Sequence, residues 1–141
     1  VDVPADLITK GTRLIVSAGE IGGLNTATLH SVDPDPDADD DAAAVMVIGN
    51  EIIACSSIND FWDSDMPEIN VECVPAFRGH GYATSCAALL TSYLAGRGYD
   101  VGYKCRSTNA ASSRIAEKIG YKKLGSRLSY VCYRKESERK E

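Results

Sequence analysis

The 141-residue sequence is short of several features that would tie it to a chemistry. It has two histidines, His30 and His80, and five cysteines at 55, 73, 86, 105 and 132 that include no CxxC pair. Neither histidine stands at ligand spacing from a cysteine, so no metal is expected. An odd number of thiols, each in an apolar run, fits free cysteines of a reducing cytosol better than a disulfide framework. No apolar stretch is long enough to span a bilayer, and VDVPADLITK does not read as a signal peptide, so a cytoplasmic protein without a membrane partner is expected. Basic residues are in deficit, 15 against 20 acidic, for a net charge of −5. That balance argues against a nucleic-acid partner and leans toward a cationic one. Neither GxxxxGK[ST] nor GxGxxG occurs, which removes Walker-type and dinucleotide loops.

What is present fits one ordinary globular domain, 44% hydrophobic and 25% charged. Residues 1–43 form an N-terminal segment of that domain that reads poorly. Residues 4–15 suit a helix or a strand about equally, since Gly11 and Thr12 interrupt the first and 14–16 are strand-like. Residues 33–41 carry six aspartates and two prolines and read as a solvated loop. A calcium loop there would lack its turn glycine and closing glutamate.

From residue 44 the pattern is firm. Two β-rich runs meet at Gly49-Asn50 as a hairpin. Residues 61–67 read as a loop, and 68–74 alternate, with Ile69, Val71 and Cys73 opposite Glu68, Asn70, Glu72 and Val74. A helix follows with Tyr82, Cys86, Leu89, Leu90 and Tyr93 as its core stripe, ending at Gly96-Arg97-Gly98. Residues 99–105 alternate again. A second helix starts at Asn109, with Ala111, Ile115 and Ile119 in register and Gly120 as its cap. Residues 127–134 close the 44–134 core as a strand, and 135–141 are a charged tail. The order β-β-β-α-β-α-β predicts an α/β (α+β) fold with a mixed, largely antiparallel sheet and one parallel crossover.

The segment VPAFRGHGYATS (74–85) passes from strand to helix through two glycines. A helix N-terminus offers unpaired amides and the positive end of a dipole, and Gly79 and Gly81 would let that backbone close around an anion. A tight turn without ligand accounts for the same residues. Asn109 serves equally well as a plain N-cap.

Arg78-Gly79-His80-Gly81-Tyr82-Ala83 resembles the RxxGxG/A signature of the GNAT (acyl-CoA N-acyltransferase) superfamily. Cys73-Val74-Pro75 resembles that family's V-x-P, and NAASSRIAEKIGY (109–121) is similar to its N-x-x-A/S…K-x-G-F/Y segment. The resemblance implies a GNAT-like fold with helices on both sheet faces and acetyl-CoA as cosubstrate, without a metal. The pyrophosphate would lie on Arg78 to Ala83, His80 and Tyr82 included. The pantetheine arm would join as a pseudo-strand beside Cys73, Val74 and Pro75, with Asn109 and Ser112 as further cofactor contacts. The family's first strand is not recognisable in residues 1–43.

The implied reaction is direct attack of a primary amine on the thioester. It needs a base, an oxyanion donor and an acid for the thiolate. Glu72 is the first candidate base and Glu68 the second, with a solvated strand face as the plain reading of both. The oxyanion donor would be the N–H of Cys73 or Val74. Ala116 stands where many members carry the acid tyrosine, so Ser112, Tyr103 or Tyr121 would have to replace it. His80 reads as exposed. The acceptor is expected to be a small or polyamine-like amine, over a protein, and a homodimer is left open. Two other readings stand beside this one. A weak or inactive acyl-CoA-binding module is favoured by Ala116 and opposed by Glu72. A toxin acetylating charged tRNA would need a basic patch that is not evident.

Overall fold

The computed structural model describes residues 5–15, 42–63, 66–106, 110–123 and 128–133. Seven strands form one sheet: β1 (Thr12–Ile15), β2 (Ala43–Ile48), β3 (Glu51–Asp63), β4 (Met66–Cys73), β5 (Val101–Arg106), β6 (Lys122–Lys123) and β7 (Leu128–Tyr133). Their order in space is β1-β2-β3-β4-β5-β7-β6. Helix α1 (Tyr82–Gly96) joins β4 to β5, and these two strands make the one parallel pair. All other neighbouring pairs are antiparallel. The crossover is therefore where the sequence places it. Helix α2 (Ala110–Ile119) follows β5.

The N-terminal segment resolves both of its alternatives. Ala5–Leu7 form a single 3₁₀ turn, and after Gly11, at φ +100°, the chain becomes β1 and pairs with β2. The first strand that the sequence did not reveal is thus present, only four residues long. Residues 61–63 and 66–67 correct a second expectation. They are strand ends, with Phe61 opposite Pro67 and Asp63 opposite Met66, and 64–65 lie outside the described residues. Register shifts after Ile58 and Phe61 accommodate the proline, which has no N–H to give a ladder. The acidic run at 33–41, Asn109 and the tail at 135–141 lie outside the described residues.

Ala44, Met46, Ile53, Ile69, Val101 and Tyr103 face α1 and α2 in one core cluster. The core face of α1 is made of small residues more than the sequence implied. Ser85, Cys86, Ala87, Ala88, Leu90, Thr91 and Leu94 are buried, while Tyr82, Leu89 and Tyr93 are only partly so. Alanine and serine let the helix axis approach the sheet closely, and Leu90 and Leu94 fill what remains. Burying each such leucine is worth about 1.5–3 kcal/mol. On α2, Ala116 and Ile119 enter this core, Ile115 packs partly buried against it and Ala111 turns away from it. Gly120, at φ +114°, ends the helix, and the amides of Gly120 and Tyr121 both return to the Ala116 carbonyl. Ala43, Val45, Cys55 and Ser57 point to the opposite face and are buried as well. The two described helices share one face; the expectation of helices on both faces falls, for the other face, outside the described residues.

Candidate active site

Strand β4 is paired on both sides only at its start. It meets β5 at Glu68–Gly102 and Ile69–Tyr103, and from Asn70 to Cys73 it keeps β3 alone. The two parallel strands therefore part halfway along β4. At the far end, the Val74 N–H donates to the Ile53 carbonyl at 2.9 Å, on the β3 side. Alternate residues of an antiparallel strand address the same neighbour. Cys73 and Val71 accordingly turn their N–H and C=O groups into the gap on the β5 side. Of the two candidate oxyanion donors, Val74 is engaged with β3 and Cys73 faces the opening.

The chain then makes a 3₁₀ turn at Pro75–Phe77 and runs through the glycine loop into α1. Gly79 and Gly81 have φ of +86° and +80°, angles that a Cβ disfavours. A Cβ built on either would meet nothing within 4 Å, so what it would occupy is open space beside the loop. Gly81 is also the N-cap of α1, without a side-chain cap and with no acidic residue in the first turn. The first helical bond runs from the Ser85 N–H to the Gly81 carbonyl. The amides of Tyr82, Ala83 and Thr84 thus have no acceptor within the helix and point out of its end. Such an end can hold an anion on backbone amides alone.

A cleft of about 760 Å³ joins the two features. Val71 to Pro75 form one wall, Phe77 to Gly79 and Gly81 to Thr84 form its floor, and α2 closes it with Ala111, Arg114, Ile115 and Lys118. The described lining residues include three cations, Arg78, Arg114 and Lys118, and one carboxylate, Glu72. The cleft is therefore cationic in a chain of net charge −5. The Arg78 guanidinium also acts on the end of β4. Burial pushes the Cys73 thiol up, and Arg78 partly offsets this.

Most residues singled out in the sequence meet here. Glu72, Cys73, Val74, Pro75, Arg78, Gly79, Gly81, Tyr82 and Ala83 all line the cleft. Glu68 does not: it is 5% exposed and sits where β4 and β5 are still joined. A solvated strand face does not describe it. His80 is exposed as expected, stacked on Tyr82 at 5.4 Å between centroids, with Nδ1 3.1 Å from the Phe77 carbonyl oxygen. Ala116 is 2% exposed, in the core cluster with Tyr103 of β5 and Tyr121, which just precedes β6. The Tyr121 hydroxyl is bound to Thr91 Oγ1 at 2.8 Å, away from the cleft, and Tyr103 is buried edge-on against Tyr121. Asn109 and the side chain of Ser112 lie outside the described residues. Arg114 and Lys118 are the functional candidates the sequence reading missed. Their signal was there: with Ala111 and Ile115 they make an i, i+3, i+4, i+7 stripe on one helix face.

The sequence model of the GNAT acetyltransferase family matches residues 43–133. The chain belongs to the GNAT acetyltransferase family. The match runs from the first residue of β2 to the last of β7 and includes both walls of the cleft. Solved GNAT structures have the same fold at low identity. A putative acetyltransferase of Salmonella typhimurium, solved with its cofactor acetyl-CoA, is 20% identical with a TM-score of 0.59, over 67% of this chain and 64% of that one. A GCN5-related N-acetyltransferase-like protein of Streptococcus suis is 20% identical with a TM-score of 0.65, over 90% of this chain and 53% of that one. A spermidine N-acetyltransferase chimera that includes Vibrio cholerae sequence is 10% identical with a TM-score of 0.61, over 74% of this chain and 72% of that one. The chain thus spans just under two thirds of the length of the Salmonella protein. A search of curated protein sequences gave no match. Among the described residues, no group of side chains could hold a metal ion and no helix is long and apolar enough to cross a membrane.

Proposed function

We propose that this domain is an N-acetyltransferase that moves the acetyl group of acetyl-CoA to a primary amine by direct attack. The observation that carries this reading is the coincidence of two openings in one cleft: the parted end of β4 and the glycine-capped end of α1. The cosubstrate supplies the acetyl group already activated as a thioester. Its pyrophosphate suits the amides of Gly81 to Thr84 and the Arg78 side chain, and its pantetheine amide suits the strand edge at Val71 and Cys73. Arg114 and Lys118 add positive charge on the facing helix.

The residues of the chain divide the chemistry. The Cys73 N–H, aimed into the gap, donates to the thioester oxygen as charge develops there. Glu72, half-buried at the lip of the cleft, accepts the ammonium proton, directly or through a water. Glu68, four residues away, is buried beside the closed part of the ladder, which supports Glu72 over Glu68 as the base. No tyrosine fills the usual acid position. A free thiol has a pKa near ~8.5, so a thiolate departs at neutral pH without strong acid help. The cationic lining eases that departure further. A single carboxylate at the site and an acidic chain favour a small, cationic acceptor of the polyamine kind, and the same charge balance gives no support to a tRNA substrate.

The test is thiol release from acetyl-CoA with a panel of amines that includes putrescine, spermidine, a lysine-containing peptide and an amino sugar. Amine-dependent release is expected, strongest with the polyamines. Tight acetyl-CoA binding with no release on any amine would favour the alternative reading of a binding or sensing module.

A further inference from the structure

The β3–β4 register sets Cys55 directly opposite Glu72 as a hydrogen-bonded pair, with both side chains on the same face of the sheet. Cys55 is fully buried. Its Sγ lies 3.7 Å from Glu72 Oε1, as donor to the carboxylate. We propose that Cys55 is a positioning residue for Glu72: its thiol, fixed inside the sheet, anchors one carboxylate oxygen and so holds the side chain in place at the lip of the cleft. The inference rests on the reading of Glu72 as the base.

The physics favours a permanent donor. Burial, with the neighbouring carboxylate second, pushes the Cys55 thiol up to about 12, so it keeps its proton throughout the neutral range. A hydrogen bond to the charged form of a carboxylate stabilises that form. A cysteine also suits the place sterically, because a sulfhydryl fills a tight apolar site and its single weak donor asks for only one partner. Besides Glu72, Cys73 on β4 acts on the Cys55 thiol, and Arg78 lines the same cleft as Glu72. The Ser57 hydroxyl, next on the same face of β3, donates instead to Asn70 Oδ1 at 3.0 Å. Cys55 is thus a donor that β3 presents to this carboxylate.

The experiment is steady-state kinetics of wild type, Cys55→Ala and Cys55→Ser with whichever amine turns over fastest, reading kcat apart from the KM for acetyl-CoA, with a thermal melt as the folding control. In Cys55→Ala, kcat should fall about three- to tenfold while the KM for acetyl-CoA stays as in wild type, since one hydrogen bond that places the carboxylate is gone. Cys55→Ser, which restores a donor, should bring kcat back toward wild type. Equal kcat in wild type and Cys55→Ala, or a folded serine variant that behaves as the alanine one, would overturn the proposal. The base reading fails separately: Glu72→Gln would then keep full turnover, whatever Cys55 does.

Discussion

The two ends of β4 carry the same residue type on the same face, and the fold makes them different objects. Glu68 lies where β5 is still paired with β4, and it is buried. Glu72 lies four residues further along that face, after β5 has left, and it borders a cleft that three cations and the glycine-capped end of α1 also line. Nothing in the two side chains distinguishes them. The parting of a parallel pair does, because it exposes backbone groups and a side chain together at one point. A reactive position in this fold is thus set by where a ladder stops more than by which residue is placed there.

The harshest way to break the comparison is to fill the glycine-capped end of α1. Gly81→Glu places a charge and a side chain beside unpaired amides at a positive φ, and should weaken acetyl-CoA binding by about 100-fold or more, by analogy with the cost of burying an unpaired charge. The fold should persist, because a Cβ there meets open space. Calorimetry of acetyl-CoA binding, with circular dichroism as the folding control, decides it; undiminished affinity would mean the anion site is elsewhere.

The carboxylates themselves come next. Glu72→Gln should lower kcat by about 100-fold, in the usual range for a general base, with cofactor affinity nearly unchanged. Glu68→Gln should leave kcat within a few-fold and appear instead as a loss of about 1–3 kcal/mol of stability, the cost of disturbing a buried polar group. Steady-state kinetics and denaturant melts on the two variants test whether the ends of β4 divide labour in this way. The reverse pattern would assign the chemistry to Glu68.

A core substitution sharpens the point more gently. Ala116→Tyr restores the residue type that many family members carry, yet Ala116 is 2% exposed against Ile119 and the tyrosine pair. Overpacking should cost about 1–3 kcal/mol, with no gain in turnover. A rise in kcat would show that the ring finds the gap. The smallest effect is expected at the facing helix. Arg114 and Lys118 are exposed, so Arg114→Gln or Lys118→Gln should weaken acetyl-CoA binding only about three- to tenfold, as for exposed charges on an anionic ligand. That difference should vanish near about 1 M salt, where screening is nearly complete.

Much of this was legible in the sequence. The hairpin at Gly49-Asn50, the alternation of 68–74 and the glycines at 79 and 81 each follow from a local rule, and each appears in the structure. What escaped depends on neighbours. β1 is four residues long and is a strand because β2 offers it a partner, which a local window does not contain. Residues 61–67 looked loop-like because of Pro67 and the aspartates, while register shifts in the ladder let Phe61 pair with Pro67 and Asp63 with Met66. Arg114 and Lys118 were in view, but their relevance comes from α2 standing across the cleft from the glycine loop. The same holds for Cys55, whose meaning comes from a cross-strand register. Local rules give the elements; the site arises from which elements end beside each other.

The most direct measurement follows backbone amides of 15N-labelled protein as CoA is added. CoA should shift and protect the amides of Val71 and Cys73, in the gap, together with Gly79 and Gly81 to Thr84 at the glycine-capped end of α1. Ile69, still inside the closed ladder, and Val74, already bonded to β3, should change little. Perturbation centred on the start of β4, or spread without regard to where the strands part, would contradict the account.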